Sequence, residues 1–488
     1  MIATVLRISL FWLLVLVSQM MAAMANADTI GADDLENVLS GFDISPEAEN
    51  SGDDTEEDID EYLSGFDRPE ELANDSTPAN ATAEKRRWRF TGDISLISTY
   101  NYAHDKPDPG STDFRGLSQL KVQFRPELWL DIAPGWDAKI SGSTYYDFIY
   151  RMNGRRDYTN EVLNDYESDS EFRETFIRGQ ITSRLDIKVG RQIVAWGKSD
   201  NFRVVDVINP LDLREPGLVD IEDLRLPSSM TRVDYYWGNW GLSGLAIHEI
   251  RFDKLPPYGS DFYPFPVKLP PKDTPDNGGN NTEFALSLSG IMQGWDLSLH
   301  LARLFSDSSH IELKPQGARL QYSRLTMAGA ATNVATGDWL WKAEAAYFDG
   351  LEFFSAPDKE FERIDLMAGI EYNGFDNTTL SVESVVRHIH DFDQRLKHDP
   401  VPAERNRVQT AFRYNADFLH DRLNVLLLDM RHGQTLSDGG FTRLQLKYEL
   451  REALFTTLGV VSYHRGDTVP YSEIADNDRL FVDIEYSF

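Results

Sequence analysis

The chain has 488 residues, with 79 acids against 48 bases, a formal net charge of −31 and no cysteine. That balance argues against nucleic-acid binding, which needs basic patches. The absent thiols exclude a lipobox, a disulfide framework and a thiolate metal site.

The first residues point to a compartment. Arg7 supplies a positive n-region, Ile8 to Val17 is apolar apart from Ser9, and Ala25-Asn26-Ala27 is the small-x-small pattern a signal peptidase cuts. The apolar run falls short of the ~20 residues a bilayer span needs. Residues 1–27 are therefore expected to be a cleaved signal peptide, with Asp28 as the mature N-terminus. The 461 residues that follow would make three soluble domains on length alone. They contain no apolar run of the ~18 residues that marks a membrane helix. A membrane β-barrel escapes that test, because lipid-facing and lumen-facing residues alternate and cancel in any window. The 20 Tyr, 27 Phe and 10 Trp would supply its interfacial girdles.

Residues 28–87 read as a disordered acidic arm. Nineteen acids lie between Asp28 and Glu84 against one base, Arg68, and aromatics are few; such a segment buries too little surface to fold alone. One pattern recurs within it at a spacing of 24 residues. Leu35, Val38, Leu39 and Phe42 stand at i, i+3, i+4 and i+7, Ile59, Tyr62, Leu63 and Phe66 repeat that spacing, and both copies finish with Leu-Ser-Gly-Phe-Asp. Each copy is the apolar stripe of a short helix, marginal by itself in water. One reading makes them docking motifs for a periplasmic or inner-membrane partner, through Leu35, Leu39, Phe42, Tyr62, Leu63 and Phe66. The other packs both helices on their own barrel, at its mouth or inside its lumen.

From Trp88 onward the period is two. Val122, Phe124, Leu128, Leu130 and Ile132 alternate with Lys121, Gln123, Arg125, Glu127 and Asp131. Trp295, Leu297, Leu299 and Leu301 alternate with Asp296, Ser298 and His300. The same holds for Ile364 to Tyr372, for Leu444 to Leu450 and for Leu480 to Phe488. Charges of both signs on the inner face suit a water-filled lumen and would be costly in a packed sandwich. Short turns at Pro134-Gly135, Thr182-Ser183, Gly238-Asn239, Gly294, Gly337-Asp338, Asn373-Gly374, His420-Asp421 and Arg451-Glu452 alternate with nine long polar loops. That is the membrane-barrel rule. The pattern predicts an all-β fold, a transmembrane antiparallel barrel of 18 strands over 88–488, with 16 as the alternative count. A terminal Phe488 after clean alternation resembles the signal by which the outer-membrane assembly machinery recognises its substrates.

One segment is distinctive. Gly190-Arg191-Gln192 is followed by Trp196-Gly197-Lys198, then Asn209-Pro210-Leu211-Asp212, then Arg214-Glu215-Pro216-Gly217. The run G-R-Q-x-x-x-W-G, N-P-x-D and R-x-P-G resembles a domain-of-unknown-function family of Gram-negative outer-membrane β-barrel proteins. Its members often accompany exporters of the resistance-nodulation-division type and lipid-handling periplasmic proteins. They usually carry Glu after the Trp-Gly, where this chain has Lys198. The signature covers under a tenth of the chain; the resemblance implies an outer-membrane barrel and an exporter as partner.

By the strand count this run is the third external loop, 197–227. Val204, Val205, Val207, Ile208, Leu211, Leu213, Leu218, Val219 and Ile221 would not be left in water as a group. The loop is therefore expected to fold into the lumen and narrow it. Arg191, Lys198, Arg203, Arg214 and Arg225 would face Asp200, Asp206, Asp212, Asp220 and Asp223, with Trp196 and Asn209 beside them, as a charged constriction. The plainer reading is that these charges pair to hold the loop on the wall.

No G-x-S-x-G, H-E-x-x-H, P-loop or EF-hand pattern follows the leader. No catalytic residue, metal or cofactor is assigned, and His388, His390 and His398 read as exposed loop polarity. The first functional reading is an outer-membrane channel or conduit, its arm in the periplasm, serving an exporter of lipidic or other apolar cargo. The second is a passive porin for small polar solutes with the arm as plug or tether, and the third a barrel-embedded hydrolase. Outer-membrane lipid and the barrel assembly machinery are the other expected partners.

Overall fold

The computed structural model describes residues 87–219, 221–467 and 469–488. The expected signal peptide, the acidic arm with both Leu-Ser-Gly-Phe-Asp copies, and Asp220 lie outside them. Twenty strands follow one another: β1 (Trp88–Asn101), β2 (Gly116–Ala133), β3 (Trp136–Asp147), β4 (Ser168–Thr182), β5 (Leu185–Gln192), β6 (Ser228–Trp237) and β7 (Trp240–Ile247) come first. Next are β8 (Glu283–Met292), β9 (Trp295–Phe305), β10 (His310–Lys314), β11 (Gly317–Gln321), β12 (Arg324–Thr336) and β13 (Trp339–Leu351). The last are β14 (Phe361–Phe375), β15 (Thr378–Ile389), β16 (Asn406–Phe418), β17 (Leu423–His432), β18 (Gly440–Arg451), β19 (Leu454–His464) and β20 (Arg479–Ser487).

Eighteen of these form one closed antiparallel barrel, and β10 and β11 make a separate hairpin in the loop between β9 and β12. Each barrel strand pairs with its neighbours in sequence, and β20 pairs back with β1 from Asp93↔Ser487 to Asn101↔Arg479. Closure leaves no unpaired edge, which the hydrocarbon interior demands of any sheet that crosses it. The count is 18, not 16.

The pleat sorts the side chains as the alternation predicts. Leu299, Leu301, Leu366, Leu444, Leu480 and Tyr486 are exposed on the outer surface, while Ser298, His300, Asp365, Arg443, Arg479 and Phe481 are buried inside. The outer face is apolar because lipid meets it; the inner face is ionic and largely paired. Lys139, for example, lies 2.9 Å from Glu127 and 3.1 Å from Glu174. Nine long loops leave one end of the barrel and eight short turns the other. One turn differs from expectation. The strand β14 runs past Asn373-Gly374 to Phe375, through a register shift between Tyr372 and Phe375. The reversal falls instead at Asp376-Asn377, where Asn377 takes φ 50°, a left-handed conformation that Asn tolerates better than most residues.

Candidate functional site

The loop between β5 and β6, residues 193–227, crosses the lumen. From β5 its first half reaches β9, β13 and β15, and β15 stands eight positions round the ring of eighteen, close to the opposite wall. Its second half touches β18, β19 and β2.

Two lumen glutamates hold the first half. On β13, Glu344 accepts backbone N–H bonds from Lys198 (2.5 Å), Ser199 (2.8 Å) and Val205 (3.2 Å). On β15, fully buried Glu383 accepts the Ser199 hydroxyl (2.7 Å) and the N–H groups of Asp200 (3.1 Å) and Asn201 (3.2 Å). A loop inside a barrel has no sheet partner for its amides, and unpaired buried amides are costly. The two carboxylates supply acceptors, and charge makes each bond stronger than a neutral one. The close approach needs Gly197: its φ is +94°, and a Cβ there would lie 2.9 Å from Glu344 Oε1.

The loop also fastens to itself. Asn209, with no exposed surface, accepts the Val194 N–H (2.7 Å) and donates to the carbonyls of Gln192 (3.2 Å) and Leu226 (2.9 Å). One side chain thereby ties together the start, middle and end of the loop. Trp196 stacks on His300 of β9 at 4.4 Å, and its backbone N–H donates to Asp206 Oδ1 at 3.1 Å. Val204, Val205, Ile208 and Leu211 are buried, and the first three join Met230, Leu245, Met327 and Val385 in an apolar core inside the barrel. Burying each such side chain contributes ~1.5–3 kcal/mol. Val219 departs from the expectation and is exposed. The second half of the loop is held at its carbonyls and at Glu215: Tyr463 Oη donates to Pro216 O (2.6 Å), and Gln119 donates to Glu215 (3.0 Å).

The predicted charges come out as pairs along the loop and into the wall, rather than one ring across an opening. Arg225 meets Asp206 at 3.0 Å and Arg214 meets Asp212 at 2.6 Å. Lys198 reaches Asp296 at 2.9 Å, and Asp200 reaches Lys342 at 2.6 Å. Arg203 donates to the carbonyls of Asp206 (2.6 Å) and Asn209 (2.7 Å). Arg191 lies outside this group, on Glu249 (2.8 Å) and Glu171 (3.3 Å) of the neighbouring wall and loop. Asp223 is exposed. Burial works against charge on Arg203, but the carboxylates of Asp206 and Asp307 outweigh it and raise its pKa. Burial pushes the Asp307 carboxyl well above the usual range.

Sequence reasoning missed Glu344, Glu383, Lys342 and Asp296, the wall's half of these contacts. Each sits at an inward position of an alternating strand, where a charge looks like any other lumen residue. Among the described residues no group of three or more His, Cys, Asp or Glu is placed to hold a metal. His388 hydrogen-bonds Asn406 and packs against His390 at 5.0 Å.

No curated protein matches the chain. Among solved structures, OccAB2 of Acinetobacter baumannii is 10% identical with a TM-score of 0.49, over 82% of this chain and 98% of that one. A BenF-like porin from Pseudomonas fluorescens Pf-5 is 13% identical with a TM-score of 0.49, over 82% and 98%. The outer membrane protein OpdK of Pseudomonas aeruginosa is 13% identical with a TM-score of 0.46, over 82% and 99%. The profile of one family matches residues 12–488, nearly the whole chain, and on that match the protein belongs to the family described as Protein of unknown function (DUF1302).

Proposed function

We propose that this protein is an outer-membrane channel of a Gram-negative bacterium whose passage is narrowed by the loop 193–227. The observation that carries the reading is the attachment of that loop across the lumen by Glu344 and Glu383. A loop that only tidied an external surface would have no use for buried acceptors on the far wall. Most apolar residues of the loop are consumed in a core shared with part of the wall, and the inner wall beyond that core carries ion pairs. Arg125 meets Asp93 at 2.7 Å and Glu485 at 2.8 Å there. A polar lining supports small polar or charged solutes as cargo. In this reading Trp196, Lys198, Asp200, Arg203, Asp206, Asn209, Asp212, Arg214 and Arg225 shape the constriction, most of them by holding the loop, while Arg191 sits on the neighbouring wall and Asp223 is exposed.

The test is single-channel recording in planar bilayers. Removing Val204 to Leu213 should raise conductance by a factor of about two or more, because a narrowing is lost. Unchanged conductance in a correctly assembled variant would mean that the loop does not limit the passage.

A finer reading makes the channel one part of an export route. Its support is the twice-repeated Leu-Ser-Gly-Phe-Asp of the acidic arm, a bivalent motif suited to a periplasmic or inner-membrane exporter, together with the habit of the resembled family. A lipidic or other apolar cargo belongs to this reading and rests on the family resemblance.

A further inference from the structure

The outer wall carries one feature that neither the channel nor the loop uses. On β7 the two outward positions Gly244 and Ala246 are small, and they lie between larger outward residues, Val233 on β6 and Leu286 and Phe284 on β8. The result is a shallow, open trough in the lipid-facing surface, of about 640 Å³. A Cβ added at Gly244 would meet nothing within 4 Å, so the floor is open. The sides are apolar and exposed, Phe284 at 57% and Leu301 at 55%.

The end of the trough nearest the long loops is polar. Arg303 of β9 points outward beside Phe284, two residues before the strand ends. Its Nη1 donates to Thr326 Oγ1 at 3.3 Å, and it has no carboxylate partner among the described residues. Asp349 stands two strands away from it, on β13. Thr231, on the other side, hydrogen-bonds His248 at 3.0 Å. An unpaired guanidinium on a lipid-facing wall is costly at mid-membrane and stable at the headgroup level, where an anion can reach it. Arginine also matches the geometry of phosphate oxygens, which it can hold with two parallel bonds.

We propose that this trough is a binding site for one phosphate-bearing membrane lipid, with an acyl chain along Gly244 and Ala246 and the phosphate on Arg303. Among the described residues that line the trough Arg303 is the one cation, and with the apolar floor it favours an anionic amphiphile over a neutral one. The site lies outside the barrel, so it is independent of the constriction.

The full chain would be reconstituted in phosphatidylcholine vesicles doped with phosphatidylglycerol or, separately, with lipid A. It would then be extracted in mild detergent and weighed by native mass spectrometry. Wild type should keep one anionic lipid in preference to phosphatidylcholine. Arg303→Ala should lower that retention about tenfold, and Gly244→Phe, which fills the trough without a strained φ, should remove it. Heat-modifiable migration and channel conductance should stay at wild type in both variants, which separates this site from the constriction. Equal retention of neutral and anionic lipid, or retention unchanged in Arg303→Ala, would overturn the assignment. A wild-type dimer that Gly244→Phe splits into monomers would also overturn it, because the trough would then be an interface between two copies.

Discussion

At the scale of single residues, the loop 193–227 is held by a few buried acceptors and donors. Replacing Glu344 with Ala would strip acceptors from the Lys198, Ser199 and Val205 amides, at ~1–3 kcal/mol for each group left unpaired. The expected result is hydrogen exchange at least about tenfold faster at those three amides, with noisier single-channel currents and an intact barrel. Exchange unchanged from wild type would show that the carboxylate is incidental. Asn209→Ala should act the same way at Val194, since that N–H donates to the lost Oδ1. Gly197→Ala faces two penalties, a positive φ and a Cβ against Glu344 Oε1. It should displace the loop even though it adds a single methyl.

At the scale of elements, barrel closure rests on the β20–β1 pair. Phe488 extends it beyond the last strand residue, with Gly92 N donating to Phe488 O at 3.1 Å and Phe488 N donating to Gly92 O at 2.9 Å. Its ring packs on Phe90 at 5.7 Å and Phe124 at 6.1 Å. Deleting Phe488, or replacing Tyr486 and Phe488 with Asp, should block assembly. A charge facing lipid is unfavourable, though Asp costs less than the ~2–4 kcal/mol of Arg or Lys at mid-membrane, and the apolar end of the closing strand is lost. Normal heat-modifiable migration of the double variant would count against this account. The period-two pattern made the strands legible in the sequence because one face must meet lipid and the other water. The turn after β14 was less legible, since a register shift moves the reversal three residues without disturbing the composition that signals it.

At the scale of the whole molecule, the proposed channel function rests on what the lumen leaves open. If the arm recruits a partner, Phe42→Ala and Phe66→Ala should each weaken its capture in crosslinking from membranes. The double variant should lose it far more than additively, as avidity disappears with the second site. The barrel should keep its thermal stability in all three. Destabilisation of the isolated barrel by the double change would instead assign both Leu-Ser-Gly-Phe-Asp copies to the barrel as a plug. The loop truncation and the arm variants are separable, because the first reads conductance and the second reads capture.

Sequence alone determined the barrel, its strand order and the position of the loop that enters it. Alternation is a local property, imposed residue by residue by the two solvents on either side of one sheet. The clustering of Val204, Val205, Ile208 and Leu211 within a polar loop likewise demanded a buried place for them. Only the tertiary structure decided which charges meet. Arg214 and Asp212 are neighbours in the chain, but Lys198 and Asp296, or Asp200 and Lys342, are 98 and 142 residues apart. Such pairs come together through the radius and stagger of the closed barrel, which belong to all eighteen strands and are written in none of them singly.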